Sequence, residues 1–434
     1  MKLTGWGKYP TIEAEVFTPN TISAISNKLK NHTNPSAIAR GLGRSYGDSS
    51  LAETILSSAS LNHFLDFNPD TGLLNCASGV SLAEILQTFV PKGWFLPVTP
   101  GTKFVTIGGA IASDVHGKNH HLDGCFSEFI NKLTLATATG ELLKCSRTEN
   151  SDLFYATCGG MGLTGVIVSA ELQLQAIGSA QIDETTIKAH NLAHALELFE
   201  NNINNTYSVA WIDCLASGDN LGRSLLMLGE HSNDGPLDAH KEGALSIPVD
   251  MPGIMLNRFS IQAFNTLYYN RVRQETTNRT VHYEPFFYPL DGIHDWNRMY
   301  GKNGFTQYQF VIPKAAGLEG MTTILKRIAD SKRGSFLAVL KVFGKANDNW
   351  LSFPIEGYTL ALDFKLDLNL LTLLDELDKI VLSYGGRVYL TKDVRMSSST
   401  FKQSYPNWEK FVALRQKYGA DKHFNSLQSK RLGL

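Results

Sequence analysis

The chain has 434 residues, 43% hydrophobic and 19% charged, and its 40 basic against 41 acidic side chains leave a formal net charge of -1. That much apolar material with so little net charge excludes general disorder, and the missing basic excess speaks against a dedicated nucleic-acid binder. Five scattered cysteines, Cys76, Cys125, Cys145, Cys158 and Cys214, contain no C-x-x-C pair, so a reducing compartment is expected rather than a disulfide framework or a zinc knuckle.

Taken in chain order, residues 1–17 hold Lys2, Lys8, Glu13 and Glu15 without a continuous apolar core, which reads as no signal peptide. No stretch approaches the roughly 20 apolar residues of a membrane span, so the expectation is a cytoplasmic chain. Ile22, Ile25 and Leu29 have helical spacing, and a short buried strand is predicted over 37–39, ending at Arg40-Gly41. Residues 73–77 read as another strand. Ser81-Leu82-Ala83-Glu84 is a capping-box pattern that starts a helix through Phe89, stopped by Pro91 and Gly93. Residues 133–138 and 141–145 flank Thr139-Gly140 as a hairpin, and the β-branched run 165–174 predicts a strand.

From about Gly178 the texture changes. An Asn-rich helical segment over 190–205 alternates with strands over 208–214, 307–312, 336–343 and 358–364, before a long amphipathic helix over 370–382. A domain boundary is placed near Ile177. Residues 247–273 mix apolar, aromatic and basic side chains with two prolines. They read either as a loop and helix packed on the body or as a lipid-facing lip.

Three glycine clusters carry the chemistry. Arg40-Gly41-Leu42-Gly43-Arg44-Ser45-Tyr46-Gly47-Asp48 puts three glycines within seven residues after a strand, where backbone N–H groups can converge on an anion and Arg40 and Arg44 add charge. It matches neither the P-loop nor G-x-G-x-x-G. The second runs from Pro100-Gly101-Thr102 through Thr106, Gly108-Gly109, Ala112-Ser113 and His116-Gly117 to Asn119, and lets the chain approach a bulky ligand. Its His116, His120 and His121 invite a metal reading, set aside because no acidic ligand stands at matching helical spacing. The third, Cys158-Gly159-Gly160-Met161-Gly162-Leu163-Thr164-Gly165, precedes the strand that opens with Val166.

Together these loops resemble the vanillyl-alcohol-oxidase type of FAD-linked oxidoreductases. Gly5-Trp6-Gly7, Gln307-Tyr308-Gln309-Phe310, Leu351-Ser352-Phe353-Pro354, Thr391-Lys392-Asp393 and Ser429-Lys430-Arg431-Leu432 are similar to its decaprenylphosphoryl-β-D-ribose oxidase branch, nearly end to end. The resemblance implies an α+β fold: an FAD-binding domain over 1–177, completed by 388–434, and a substrate domain over 178–387 on an antiparallel sheet with flanking helices. It implies FAD contacts at Arg40, Gly41, Leu42, Gly43, Arg44, Ser45 and Tyr46. In the second loop these are Pro100, Gly101, Thr102, Thr106, Gly108, Gly109, Ala112, Ser113, His116, Gly117 and Asn119, and in the third Gly162, Gly165 and Val166. Arg44 stands where many relatives bind flavin covalently through histidine, so FAD is expected to be held non-covalently.

The same resemblance implies oxidation of the C2 hydroxyl of a polyprenyl-phosphate pentose. A separate short-chain reductase would complete an epimerisation, with peripheral contact at the membrane face. Lys392, Tyr46 and His116 are the candidate catalytic residues, and Gln309, Lys341, Asp363 and Lys392 the candidate substrate contacts. Each has a plainer reading. Lys392 can be a surface partner of Asp393, Tyr46 a packing aromatic, and Gln309 the polar side of an alternating strand. Oxidation of free sugars, alditols or hydroxy acids is the alternative activity, and a flavin- or lipid-binding protein without catalysis the non-enzymatic one.

Overall fold

The computed structural model describes residues 1–31, 36–241, 243, 245–252 and 256–434. A three-stranded parallel sheet takes the order Glu15–Phe17, Thr54–Ser57, Ala37–Arg40. A five-stranded antiparallel sheet takes the order Leu142–Ser146, Ile130–Ala136, Val166–Gln173, Leu73–Ala77, Phe64–Asn68. The helix Ile22–Lys30 starts at Thr21, whose hydroxyl accepts from the Ala24 N–H, and buries Ile25 and Leu29. Both join one apolar cluster with Ala37, Leu56, Ala136, Val168 and Phe424, so the helix packs against both sheets and the end of the chain. The helix Leu82–Phe89 has both halves of its capping box, Ser81 to the Glu84 N–H and the Glu84 carboxylate back to the Ser81 N–H. Such reciprocal capping fixes where a helix begins without help from distant residues.

The third sheet has eight antiparallel strands in the order Thr276–His282, Gln181–Ala189, Ser224–His231, Tyr207–Ile212, Ala338–Phe343, Gly357–Lys365, Phe305–Pro313, Arg387–Val388. Strand side chains alternate faces with period two. Leu340, Leu360, Leu362, Tyr308, Phe310 and Ile312 therefore enter the main core, alongside residues of the helices Gly317–Asp330 and Leu368–Ser383. The intervening positions form the other face, and that face builds the site.

Several elements escape a period-based reading. Thr276–His282 is an edge strand of mostly polar residues, and Ser224–His231 is mostly buried, so neither shows clean alternation. Gly317–Asp330 contains two glycines, which mask its helical stripe. In the region 247–273, residues 253–255 lie outside those described; a helix, Arg258–Asn270, follows them. The final helices return to the first half of the molecule. Ala37 donates to the His423 carbonyl at 3.0 Å, Asn425 donates to the Ala37 carbonyl at 3.0 Å, and the buried Arg415 guanidinium donates to the Leu163 carbonyl at 3.1 Å. No helix among the described residues is long and apolar enough to cross a membrane.

Candidate active site

The three glycine loops meet. A Cβ on Gly41 would stand 2.3 Å from Thr106 Oγ1, so the first and second loops touch only because residue 41 has no side chain. The Met161 N–H donates to the Ala112 carbonyl at 2.8 Å, joining the third loop to the second. Gly43 has φ +66°, and the Arg40 guanidinium packs directly beneath it. Arg40 is held inside that turn. Its guanidinium donates to the Thr4 carbonyl at 2.7 Å and to Ser50 Oγ at 3.2 Å, so it shapes the turn while its charge stays without a carboxylate among the described residues. Asn119 is committed likewise, to the Pro97 carbonyl and to Asp123, both at 2.7 Å.

The residues that remain fit an anionic dinucleotide. The backbone N–H groups of Gly41, Leu42, Gly43, Arg44 and Ser45 donate to no atom among the described residues, a run of adjacent donors of the kind that cradles a diphosphate. Gly101 has open space where a Cβ would point. Arg44 lies 3.9 Å from the Trp6 ring centroid and 5.3 Å from that of Phe104, and it is in no ion pair with a described residue. A stacked guanidinium without a carboxylate keeps its charge available to a phosphate.

On the free face of the large sheet, Gln307 pairs across with Asp363, Gln309 with Ala361, and Ala361 in turn with Val339. Lys341 pairs with Thr359. Register alone therefore gathers Gln307, Gln309, Asp363, Thr359 and Lys341 on one surface. His116, from the end of the second glycine loop, drops onto it. Its Nε2 is 3.1 Å from Gln309 Nε2 and its Nδ1 is 3.0 Å from Lys341 Nζ. A neutral imidazole carries one N–H, so its two nitrogens cannot both accept. Either Lys341 donates to Nδ1 while Nε2–H donates to the Gln309 amide oxygen, or a neutral Lys341 accepts from Nδ1–H while the Gln309 amide nitrogen donates. Burial pushes His116 well below the usual imidazole range, and burial together with neighbouring Lys118 and Lys392 pushes Lys341 down to about 7. Burial thus favours the neutral imidazole, and Lys341 donates or accepts at Nδ1 according to its own protonation. His120 and His121 point to other duties, His120 Nδ1 accepting from the Gly344 N–H and His121 Nε2 donating to the Asn205 carbonyl.

Lys392 reaches the same surface from the turn after Tyr389. Its ammonium lies 4.1 Å from the Tyr46 ring centroid. The Tyr46 hydroxyl accepts from Gln307 Nε2 at 3.4 Å, and the same nitrogen donates to Asp363 Oδ1 at 2.6 Å. Tyr46 and Asp363 are buried. Burial pushes the Asp363 carboxyl from 3.8 up to about 7 and Lys392 from 10.5 down to about 8, with their mutual attraction opposing both shifts. Both shifts tax the fold. An unfolded Asp363 ionises above 3.8 but the folded one only above about 7, so its contribution to stability falls as pH rises across that window. Lys392 contributes a loss as pH falls from 10.5 to about 8. The Asp363→Asn variant should move Lys392 to still lower pKa, because Asp363 is what holds it up. A pH profile of the reductive half-reaction should then show its lysine limb displaced toward acid; an unmoved limb removes Asp363 from this role.

Two participants were not singled out as site residues from the sequence. Gln307 stands two residues before Gln309 on the same strand, so strand alternation would have found it. Lys118, adjacent to the His116-Gly117 pair, donates to the Phe286 carbonyl and has its ammonium 4.2 Å from the Phe286 ring centroid; burial pushes it down to about 7. Val166 begins a core strand directly after Gly165 and is buried in the cluster of helix Ile22–Lys30.

Comparison with known proteins agrees with this geometry. An FAD binding domain model matches residues 14–146. The chain is 35% identical to the decaprenylphosphoryl-beta-D-ribose oxidase of Mycolicibacterium smegmatis, over 100% of this chain and 97% of that one. It is 31% identical to an uncharacterised protein of Streptomyces coelicolor, over 82% of this chain and 100% of that one. A shorter match, 33% identity over 22% of this chain and 18% of its relative, is to the human delta(24)-sterol reductase.

Proposed function

Since the chain belongs to the decaprenylphosphoryl-β-D-ribose oxidase family and is an FAD-dependent oxidoreductase, we propose that its substrate is a polyprenyl-phosphate pentose, oxidised at the C2 hydroxyl. The observation that carries this reading is the set of three half-buried amino groups around one sheet face, Lys118, Lys341 and Lys392. Burial lowers the pKa of each, and a phosphate placed among them would restore the charged forms, whereas a free alditol has no charge to place there.

FAD would lie along the amides of 41–45 and the second and third glycine loops, and when bound it supplies the two-electron acceptor. The chain's own residues do the rest. Lys392, with a pKa near the working range, takes or shares the proton of the reacting hydroxyl at Nζ. Tyr46 and Gln307 fix that ammonium's surroundings, and Asp363 sets its charge. Gln309, His116 and Lys341 hold the sugar and its phosphate by hydrogen bonds. Arg44 cannot form a flavin–histidine bond, which supports a non-covalently held FAD. The keto product would be reduced by a separate short-chain reductase, completing an epimerisation.

The test is anaerobic mixing of the purified yellow protein with farnesyl-phosphoryl ribose and, separately, with soluble alditols. Bleaching of the flavin band by the lipid-linked sugar alone is expected, as is release of all flavin into the supernatant on acid precipitation. Bleaching by alditols with none from the lipid-linked sugar would transfer the assignment to a free-polyol oxidase.

A further inference from the structure

The helix Arg258–Asn270 is amphipathic the wrong way round for a helix packed only on a protein body. Ile261, Asn265 and Tyr269 face inward. On the outward side Phe259, Ala263 and Leu267 follow one another at i, i+4 and i+8, so they form a single stripe. Phe259 is 79% exposed and Leu267 74% exposed. A large apolar stripe left in water marks a contact surface.

Charge says what would cover it. Residues 251–274 contain Arg258, Arg271 and Arg273 and no Asp or Glu. All three arginines are exposed, and none is in an ion pair with a described residue. An apolar stripe edged by unpaired arginines suits an interface where acyl chains and anionic headgroups lie side by side.

The stripe also connects to the site. From Tyr46, beneath Lys392, the ring of Phe305 lies 5.2 Å away, Tyr300 stacks on Phe305 at 4.4 Å, and Phe336 stacks on Tyr300 at 5.7 Å. Phe336 then meets Phe264 of the helix at 5.7 Å. An unbroken aromatic path thus runs from the proton-handling corner to the exposed helix.

We propose that the helix Arg258–Asn270 docks on an anionic lipid bilayer, with Phe259 and Leu267 inserted among the acyl chains and the arginines on headgroups. The proposal rests on the lipid-linked substrate reading for its purpose, since docking there would bring the site to the bilayer that carries a prenyl tail, with the packed rings joining the helix rigidly to the Lys392 corner.

The experiment is co-sedimentation of the FAD-loaded full chain with phosphatidylcholine vesicles, with and without 30 mol% phosphatidylglycerol. The comparison set is wild type, a Phe259→Glu/Leu267→Glu double variant, and an Arg258→Gln/Arg271→Gln/Arg273→Gln triple variant. Wild type should bind the anionic vesicles, and each variant should lose about tenfold or more in partitioning. Both variants should still bleach with farnesyl-phosphoryl ribose in solution, which shows them folded. Wild type left in the supernatant, or a double variant that binds as wild type does, overturns the proposal. So does a dimer in sedimentation velocity that the double variant dissociates, because a second copy would then cover the stripe. Vesicle binding without bleaching by any lipid-linked sugar supports the docking surface and overturns the substrate reading instead.

Discussion

Lys392→Met should slow the reduction of bound flavin by lipid-linked sugar by about 10²–10⁴-fold, the range expected for loss of a positioned proton acceptor, while leaving flavin content unchanged. Methionine keeps the length and flexibility of the lysine stem and removes only the titrating head. The packing on Tyr46 is therefore largely preserved. Two consequences follow from charge. The reacting hydroxyl loses its partner, and Asp363 loses the cation that favours its ionised form, so its carboxyl rises further. Lys392→Arg should not rescue the rate, because a guanidinium stays protonated where a buried ammonium does not. Single-turnover stopped-flow absorbance checks both variants. A loss of less than about tenfold is below the range for such a residue and would move the proton transfer to the His116–Lys341 pair.

Arg431→Leu should cost about 3–5 kcal/mol of stability, as removal of one partner from a buried charge cluster does. Arg431, on the last helix, Leu427–Leu432, donates through Nη2 to Asp48 Oδ1 and to Asp393 Oδ2, each at 2.8 Å, and through Nε to Asp48 Oδ2 at 3.2 Å. Both carboxylates are buried. Burial alone would raise Asp393, but Arg431, Arg395 and the Met396 and Arg395 N–H groups hold it below its ordinary value, so removing Arg431 takes away the largest of those contributions. Asp48 closes the first glycine loop and Asp393 follows Lys392. The same clamp thus ties the first glycine loop to the turn that carries Lys392, beside the Tyr46 N–H donating to the Thr391 carbonyl at 3.1 Å. The urea midpoint should fall sharply in Arg431→Leu and less in Arg431→Lys, which keeps the charge but loses the fork. A Leu variant as stable as wild type would show that the cluster contributes nothing net.

The elements most legible in the sequence were those with local chemical punctuation. Residues 73–77 are a strand as expected, the Ser81–Glu84 box starts its helix, and Ile22, Ile25 and Leu29 mark a helical face. The helices Ser398–Ser404, Trp408–Lys417 and Leu427–Leu432 were not read. They are short, mixed in composition, and held by distant partners such as the Arg415 contact with Leu163. Arg40 shows the same limit within the site. Its place beside a glycine loop suggested a charge for a diphosphate, and only the tertiary structure shows that the Thr4 carbonyl and Ser50 hold its guanidinium in place.

By itself the sequence determined that three glycine loops precede a set of alternating strands, that a lysine interrupts an apolar strand at 341, and that arginine stands at 44. Spacing of two or of three to four residues decides which face a side chain takes, and this is a local property of the backbone. Which faces then meet was decided only by the tertiary structure. His116 reaches Gln309 and Lys341, 193 and 225 residues further along the chain, because strand register and loop closure place them there. The depressed pKa values of Lys118, Lys341 and Lys392 arise from the water that this assembly excludes, which is a property of the packed surface and of no single segment.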